Sequence, residues 1–379
     1  MSEQQLEQII RERIRQNGRI SFCDYMAACL YEPGAGYYTS PGRKVGTSGD
    51  FYTSITVHAA FGRVIAREIA CMWRSMGQPD RFDLLEAGAG HGRLACDIMD
   101  FLAAQEPVCY AATRLTLVEQ EPSLAEAQAT LLAAHLPKLL WRTPAQLPQC
   151  RIRGVLYSNE LLDAMPVHRV VMTADGLREI FVALEGEQLV EQLELPSTPA
   201  LKTYLERYGA PLLVGQEAEV SLAGLAWFET AAAVLERGFM LTVDYGFPKA
   251  ELYTPRRRQG TLLCYHQHRV EDNPYIRLGQ QDITTHINFS ALMERGEELG
   301  VRTVWFGEQY RFLLSAGMLD EFVAIESADL SEVDKLKARL TLKRLIMPEG
   351  GMGDTFRVLV QAKAVDEPDL GCLRGLGPR

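Results

Sequence analysis

The chain has 379 residues, with 47% hydrophobic and 23% charged residues, a composition of soluble globular proteins and long enough for one large domain with insertions or for two domains. The formal net charge of −10 and pI near 5.4 exclude tight non-specific nucleic-acid binding, which needs a basic footprint. No apolar run is long enough to span a bilayer, so neither nucleic acid nor membrane is an expected partner.

Residues 1–17 read as an amphipathic helix with Leu6, Ile9, Ile10 and Ile14 on one face, ended by Gly18. This N-terminus mixes acids with arginines and has no apolar signal core, so no secretory or mitochondrial leader is expected and the cytoplasm is the expected compartment. A second helix is predicted over Ile20–Leu30, opened by Ser21 as cap. Residues 31–54 are dense in Gly, Pro, Ser and Tyr. Their length marks a functional loop, and their aromatics favour order. Helical periodicity returns over Val57–Met76, and Gly77-Gln78-Pro79 punctuates the boundary.

From Arg81 an α/β pattern begins. Strands are predicted at Phe82–Glu86, Arg114–Glu119, Leu139–Arg142, Gly154–Ser158, Phe239–Asp244, Val301–Phe306 and Phe356–Ala362. Helical runs separate most of them, which favours a mostly parallel sheet. The last connection, through Glu308–Met318, Ser331–Ile346 and a Gly-rich turn at 349–353, makes the final strand antiparallel. One segment stands apart. After Pro166, VHRVVMT, Asp175-Gly176, LREIFVAL, Glu185-Gly186-Glu187 and LVEQLEL read as a three-stranded antiparallel meander, followed by a helix at 199–208. The expected division is 1–80 as an N-terminal helical cover with its loop, 81–165 and 222–379 as the core, and 166–221 as an antiparallel insertion on the substrate side.

The core opens with FDLLEAGAGHGRLACD, Phe82 to Asp97: a buried strand, an acid, three alternating glycines and a helix. Such a turn lets a ligand approach the main chain at a helix N-terminus. The dinucleotide fingerprint Gly-x-Gly-x-x-Gly is not met, because Arg93 stands where its third glycine belongs. No Gly-Lys-Ser/Thr follows, which excludes a P-loop. Glu86-x-Gly88-x-Gly90-x-Gly92 is instead the pattern of class I methyltransferases that bind S-adenosylmethionine. Glu119, at the end of the second strand, is placed to accept from ribose hydroxyls, although it lies further along than the roughly 20 residues of the dinucleotide fingerprint.

The fourth strand ends in Ser158-Asn159-Glu160, with Asp163 and Pro166 after it. Methyl transfer is an in-line displacement that depends mainly on orientation. Two carboxylates suit a cationic acceptor such as a guanidinium, and can take its proton. Asn159 can equally cap a helix with Glu160 in its first turn. Nucleobase amine methylases would show Asp/Asn-Pro-Pro-Tyr here, and this chain does not. Asp244-Tyr245-Gly246 closes the fifth strand at the same edge, and His286 is either structural or a substrate contact. His266 and His268 can share a strand face, but no neighbouring acid or cysteine completes a metal site. The eight cysteines, at 23, 29, 71, 96, 109, 150, 264 and 372, contain no Cys-x-x-Cys pair, so zinc is not expected and a reducing compartment fits.

Six motifs in order resemble the MidA family of S-adenosylmethionine-dependent methyltransferases, whose mitochondrial member is a complex I assembly methyltransferase acting on protein arginine. They are Gly36-Tyr37-Tyr38; Gly49-Asp50-Phe51-Tyr52-Thr53-Ser54 with Phe61-Gly62; the Glu86–Gly92 turn; Ser158 to Pro166; Asp244-Tyr245-Gly246; and Asp282 to Phe289. The resemblance implies a Rossmann-like seven-stranded sheet with an N-terminal cover. In it the Gly49–Ser54 loop closes over the cofactor, with Asp50, Thr53 and Ser54 touching it. Glu86, Gly88, Gly90, Gly92 and Glu119 would hold S-adenosylmethionine. Asn159, Glu160 and Asp163 would face the acceptor, with Asp244, Tyr245 and His286 as further substrate contacts. The family usually has Gly-Pro-Gly where this chain has Gly88-Ala89-Gly90, often Phe-Phe at Leu161-Leu162, and often Asp at Asn288, where the missing charge weakens any functional role. The expected substrate is a protein side chain, arginine foremost. The alternatives are an assembly factor that binds a partner without catalysis, and a small-molecule methyltransferase. The oligomeric state is open.

Overall fold

The computed structural model describes residues 3–40, 59–267, 269–348 and 353–375. They form two compact units, each drawn from three stretches of chain: 1–52, 162–228 and 245–294 in the first, and 53–161, 229–244 and 295–379 in the second. The units therefore follow contact rather than the consecutive boundaries expected from the sequence.

The second unit is built on the predicted sheet. Its strands are β1 (Phe82–Ala87), β2 (Thr113–Val118), β3 (Leu139–Arg142), β4 (Ile152–Asn159), β5 (Leu235–Phe247), β6 (Arg302–Glu308) and β7 (Phe356–Lys363), in the order β3-β2-β1-β4-β5-β7-β6. The pairs β1–β2, β1–β4, β2–β3 and β4–β5 are parallel, and β6–β7 is antiparallel. All six residues of β1 are buried, as a central parallel strand covered on both faces must be. The predicted fifth strand is longer than expected. It starts at Leu235 behind a register shift, and its far end pairs with Ile287–Asn288, a two-residue strand with no sequence signature. Helix Ala60–Ser75 buries twelve of its residues in this unit and packs on the helix Arg93–Gln105 that follows the glycine turn.

The first unit is held by two apolar clusters. Helix Glu3–Asn17 buries Leu6, Ile10 and Ile14, three of the four residues of the predicted face, against Phe22, Tyr25, Val167 and Val182, while Ile9 is only half-buried. Helix Phe22–Tyr31 has the predicted cap, Ser21, and begins two residues later than expected. Ser21 accepts from Asp24 N at 3.0 Å, which satisfies one donor of its first turn. Ile20, however, lies in a three-residue strand, Arg19–Ser21, that pairs with the middle of the meander. The meander itself is as expected: His168–Thr173, Gly176–Glu185 and Gln188–Glu194 pair antiparallel, and helix Pro199–Tyr208 follows. A second short strand, Glu217–Val220, completes the sheet beside His168.

A small sheet of 263–266, 269–271 and 282–284 was not anticipated. Its first strand stops at His266, and Gln267 turns the chain with φ 50°. His268 lies outside the described residues, as do Asp50, Thr53 and Ser54. Of the Gly/Tyr-rich stretch, residues 32–40 form a hydrogen-bonded turn that buries Tyr37 and presents Tyr38 to Asp282. No helix among the described residues is long and apolar enough to cross a membrane.

Candidate active site

The three glycines after β1 all have left-handed backbone, with φ of 71° at Gly88, 50° at Gly90 and 77° at Gly92. Their surroundings differ. A Cβ on Gly88 would stand 2.8 Å from Leu161 Cδ1, and one on Gly92 would stand 3.3 Å from Gln128 Cγ. A Cβ on Gly90 would meet no atom of the described residues within 4 Å. Gly88 and Gly92 are thus glycines of packing, whereas Gly90 faces open space at the N-terminus of the helix. That is where a ligand meets unpaired N–H groups and the positive helix end.

The turn is fixed from three sides. Gly88 N donates to Val118 O at 2.9 Å. Gly90 N donates to Glu119 Oε2 at 2.7 Å, while Glu119 Oε1 accepts from Gln120 N and Glu121 N. Each carboxylate oxygen has two lone pairs, so Oε2 keeps one for a ribose hydroxyl. Gln128 Nε2 donates to Gly90 O at 2.7 Å and its Oε1 accepts from Trp141 Nε1 at 2.9 Å. Sequence reasoning missed Gln128 and Trp141. A glutamine inside a short helix carries no mark of such a role.

Glu86 lies beneath the turn, fully buried. Its Oε2 accepts from Tyr157 OH at 3.0 Å across the β1–β4 pair. Burial pushes its carboxyl up to about 8, against the opposing pull of the Tyr157 hydroxyl and the Ala95 N–H in the first helical turn. Its polar bonds therefore brace the strand–helix junction.

The tip of β4 lies beside this turn, because Ser158 pairs with Ala87 in register. Glu160 has φ 51°, a left-handed conformation costly for a residue with a side chain. Three bonds hold it there. Glu160 N donates to Val243 O at 2.9 Å, Asn159 Nδ2 donates to Glu160 Oε1 at 2.8 Å, and Leu161 N donates to Asp244 Oδ2 at 3.2 Å. Asp244 is fully buried, so within this unit it serves the backbone of the β4 tip. No helix starts at Asn159, and the capping alternative falls away. Asn159 Oδ1 and Ser158 Oγ are buried without a hydrogen-bond partner among the described residues. Buried acceptors left this way are costly and point to a ligand that completes them.

Asp163, Tyr245 and His286 belong to the first unit. Asp163 is buried and its carbonyl accepts from Thr285 N at 3.0 Å. Tyr38 OH donates to both oxygens of Asp282 at 2.9 Å. Burial, then the charge of Asp282, holds that phenol well above its ordinary range. The rings of Tyr245 and His286 lie parallel, 6.3 Å apart. Asn288 is structural: its amide donates to Tyr208 O at 2.9 Å and its Oδ1 accepts from Ala291 N at 3.2 Å, in the first turn of the next helix. The amide donor explains why loss of the acid is tolerated there. Among the described residues no three His, Cys, Asp or Glu side chains gather as for a metal.

A family model described as "Putative S-adenosyl-L-methionine-dependent methyltransferase" matches residues 64–307, which contain the whole glycine turn and the β4 tip. The chain belongs to this family. The MidA-type methyltransferases thus identified include mitochondrial relatives. The Drosophila melanogaster protein arginine methyltransferase NDUFAF7 homolog is 27% identical over 77% of this chain and 70% of its own length. The Danio rerio protein arginine methyltransferase NDUFAF7 is 27% identical over 92% and 84%. A Burkholderia thailandensis protein, described as a "likely methyl transferase" and solved with S-adenosyl-homocysteine, is 31% identical over 98% of this chain and 95% of its own, with a TM-score of 0.88.

The cofactor of this MidA-type enzyme is S-adenosyl-L-methionine, and the residues present fit it. Gly90 leaves room at the helix end, Glu119 keeps a lone pair for a hydroxyl, and Asn159 Oδ1 awaits a donor. When bound, the cofactor supplies a methyl group on a sulfonium, electrophilic enough for direct displacement. The chain supplies position: the Gln128–Gly90–Glu119 clamp fixes the turn, and the Val243 and Asp244 contacts fix the β4 tip.

Proposed function

We propose that the protein methylates a protein side chain, and that the acceptor is arginine. The observation that carries this reading is the β4 tip. Asn159 and Glu160 present oxygen acceptors beside the cofactor turn, and Glu160 is held there in a strained conformation. Strain of that kind persists only where surrounding contacts impose it, and it concentrates at functional sites. A surface of acceptors selects a group rich in donors, and a guanidinium offers five N–H bonds in a planar fork. Glu160 would orient the guanidinium nitrogen toward the methyl carbon and take the proton that nitrogen loses as the new C–N bond replaces the methyl carbon's bond to sulfur, whose electron pair stays on the sulfur. The Drosophila and Danio relatives, named as protein arginine methyltransferases, support the same acceptor.

The test is transfer of labelled methyl from S-adenosylmethionine into protein from a strain lacking the gene, followed by amino-acid analysis. Label in methylarginine with the parent, and none above background with Glu160→Ala, supports the reading. Label only in small molecules contradicts it. Equal label with Glu160→Ala removes Glu160 from the chemistry.

A further inference from the structure

A cavity of about 710 Å³ lies within the second unit, between helix Ala60–Ser75, the end of helix Arg93–Gln105, helix Met318–Ser327 and the C-terminal stretch at 371–374. That volume is in the range of small-molecule sites. It is not the cofactor's place. Phe101 and Gln105, which line it, stand roughly 12–18 Å along their helix from the glycine turn at its start.

Three polar atoms of its lining residues are buried with no hydrogen-bond partner among the described residues: Arg67 Nη1, Glu68 Oε2 and Ser315 Oγ. One run of chain, 315–317, passes all three. A Cβ on Gly317 would stand 3.3 Å from Arg67 Cδ, and one on Gly371 would stand 2.6 Å from Glu68 Oε2 and 3.4 Å from Ala316 Cα. Each of the three groups can donate. Arg67 gives Nη2 to Glu321 at 2.7 Å and lays its guanidinium over Phe101, 4.9 Å from the ring centroid, which fixes the plane and leaves Nη1 over. Glu68 Oε1 accepts from Cys372 N at 3.3 Å, and burial raises the carboxyl, favouring the neutral form with its O–H on Oε2. The serine hydroxyl donates by rotating.

The charges agree. Arg63, Arg67, Arg74 and Arg374 line the cavity against the carboxylates of Glu106, Asp320 and Glu321. A cationic ligand would meet four arginines, and an apolar one would leave three buried donors unanswered. An oxyanion answers them, because its oxygens only accept and its charge strengthens each bond.

We propose that this cavity binds a small ligand through an oxyanion, a carboxylate or a phosphate, seated on Arg67 Nη1, Ser315 Oγ and Glu68 Oε2. The test is the unfolding temperature of the full chain titrated with inorganic phosphate and, separately, with malonate, at an ionic strength held constant with sodium chloride. A ligand of the folded state raises that temperature along a saturation curve that yields its Kd, whereas the general salting effect of such anions does not saturate. The parent should saturate with at least one of the two anions at millimolar concentration, with or without excess S-adenosyl-homocysteine. Arg67→Lys keeps a charge for Glu321 but loses the second arm of the fork, and should weaken that Kd at least about tenfold; Ser315→Ala should weaken it about threefold. Both variants should keep the parental affinity for S-adenosyl-homocysteine. No saturation with either anion overturns the proposal, as does a Kd indifferent to both substitutions. Competition by S-adenosyl-homocysteine overturns it too, since that would put the anion at the glycine turn.

Discussion

The two units use carboxylates differently. In the second, Glu119 and Asp244 accept from backbone N–H groups at strand ends, and Glu86 feels the Ala95 N–H while bonding Tyr157. Acids there set the course of the main chain around a space left by Gly90. In the first unit the polar bonds join side chains to segments far apart in sequence: Tyr38 to Asp282, Tyr31 to Ala164 O, Asn288 to Tyr208 O. One pattern shapes a ligand's surroundings; the other assembles a body from three stretches of chain. Variants at the glycine turn and the β4 tip should therefore move cofactor affinity and turnover, and those at Asn288 and Tyr38 should move stability alone.

The largest effect is expected at Glu160. Glu160→Gly removes the left-handed penalty, so the variant should unfold at a higher temperature, by about 1 kcal/mol of stability, while turnover falls by roughly a hundredfold or more. Thermal unfolding and methyl-transfer rate measured together check both signs. A more active or a less stable variant would show that the conformation is not strained for function.

Next is Glu86. Its folded carboxyl is raised from 4.5 to about 8, so the folded state holds a proton that the unfolded state releases. That stabilisation is complete below about pH 4.5 and is lost as the pH rises through 8. Glu86→Gln should remove this slope, so that the parent loses on the order of a few kcal/mol relative to the variant between pH 5 and about 8. Parallel denaturant midpoints across that range would contradict it.

Smaller effects belong to the first unit. Asn288→Ala loses a helix-end acceptor and a donor to Tyr208 O, and should cost about 1–2 kcal/mol in urea unfolding. Tyr38→Phe leaves Asp282 short of a donor and should cost about 1 kcal/mol. Neither should change the affinity for S-adenosyl-homocysteine. A tenfold weakening by either would erase the contrast between the units.

That contrast also explains what could be read from sequence. All seven strands of the second unit were legible because each is an apolar run bounded by glycine, an acid or a turn. The β4 tip and the glycine turn were legible as motifs. The first unit's short strands were not. Arg19–Ser21 and Glu217–Val220 are too short to show alternation, and only tertiary pairing makes them strands. Gln128 was invisible because its role depends on a helix returning beside Gly90. From its place at a strand end Asp244 reads as a substrate contact; that its Oδ2 accepts from Leu161 N is set by the turn after β4 and has no mark in the sequence.

Titration calorimetry of S-adenosyl-homocysteine against Gly90→Val tests the open glycine most directly. The branched side chain would occupy the space beside the turn that no atom of the described residues fills. Heat of binding should vanish while the variant still unfolds cooperatively, at a temperature lowered by the strain of a β-branched residue at φ 50°. Parental affinity in a folded Gly90→Val protein would mean that the cofactor does not lie against this turn.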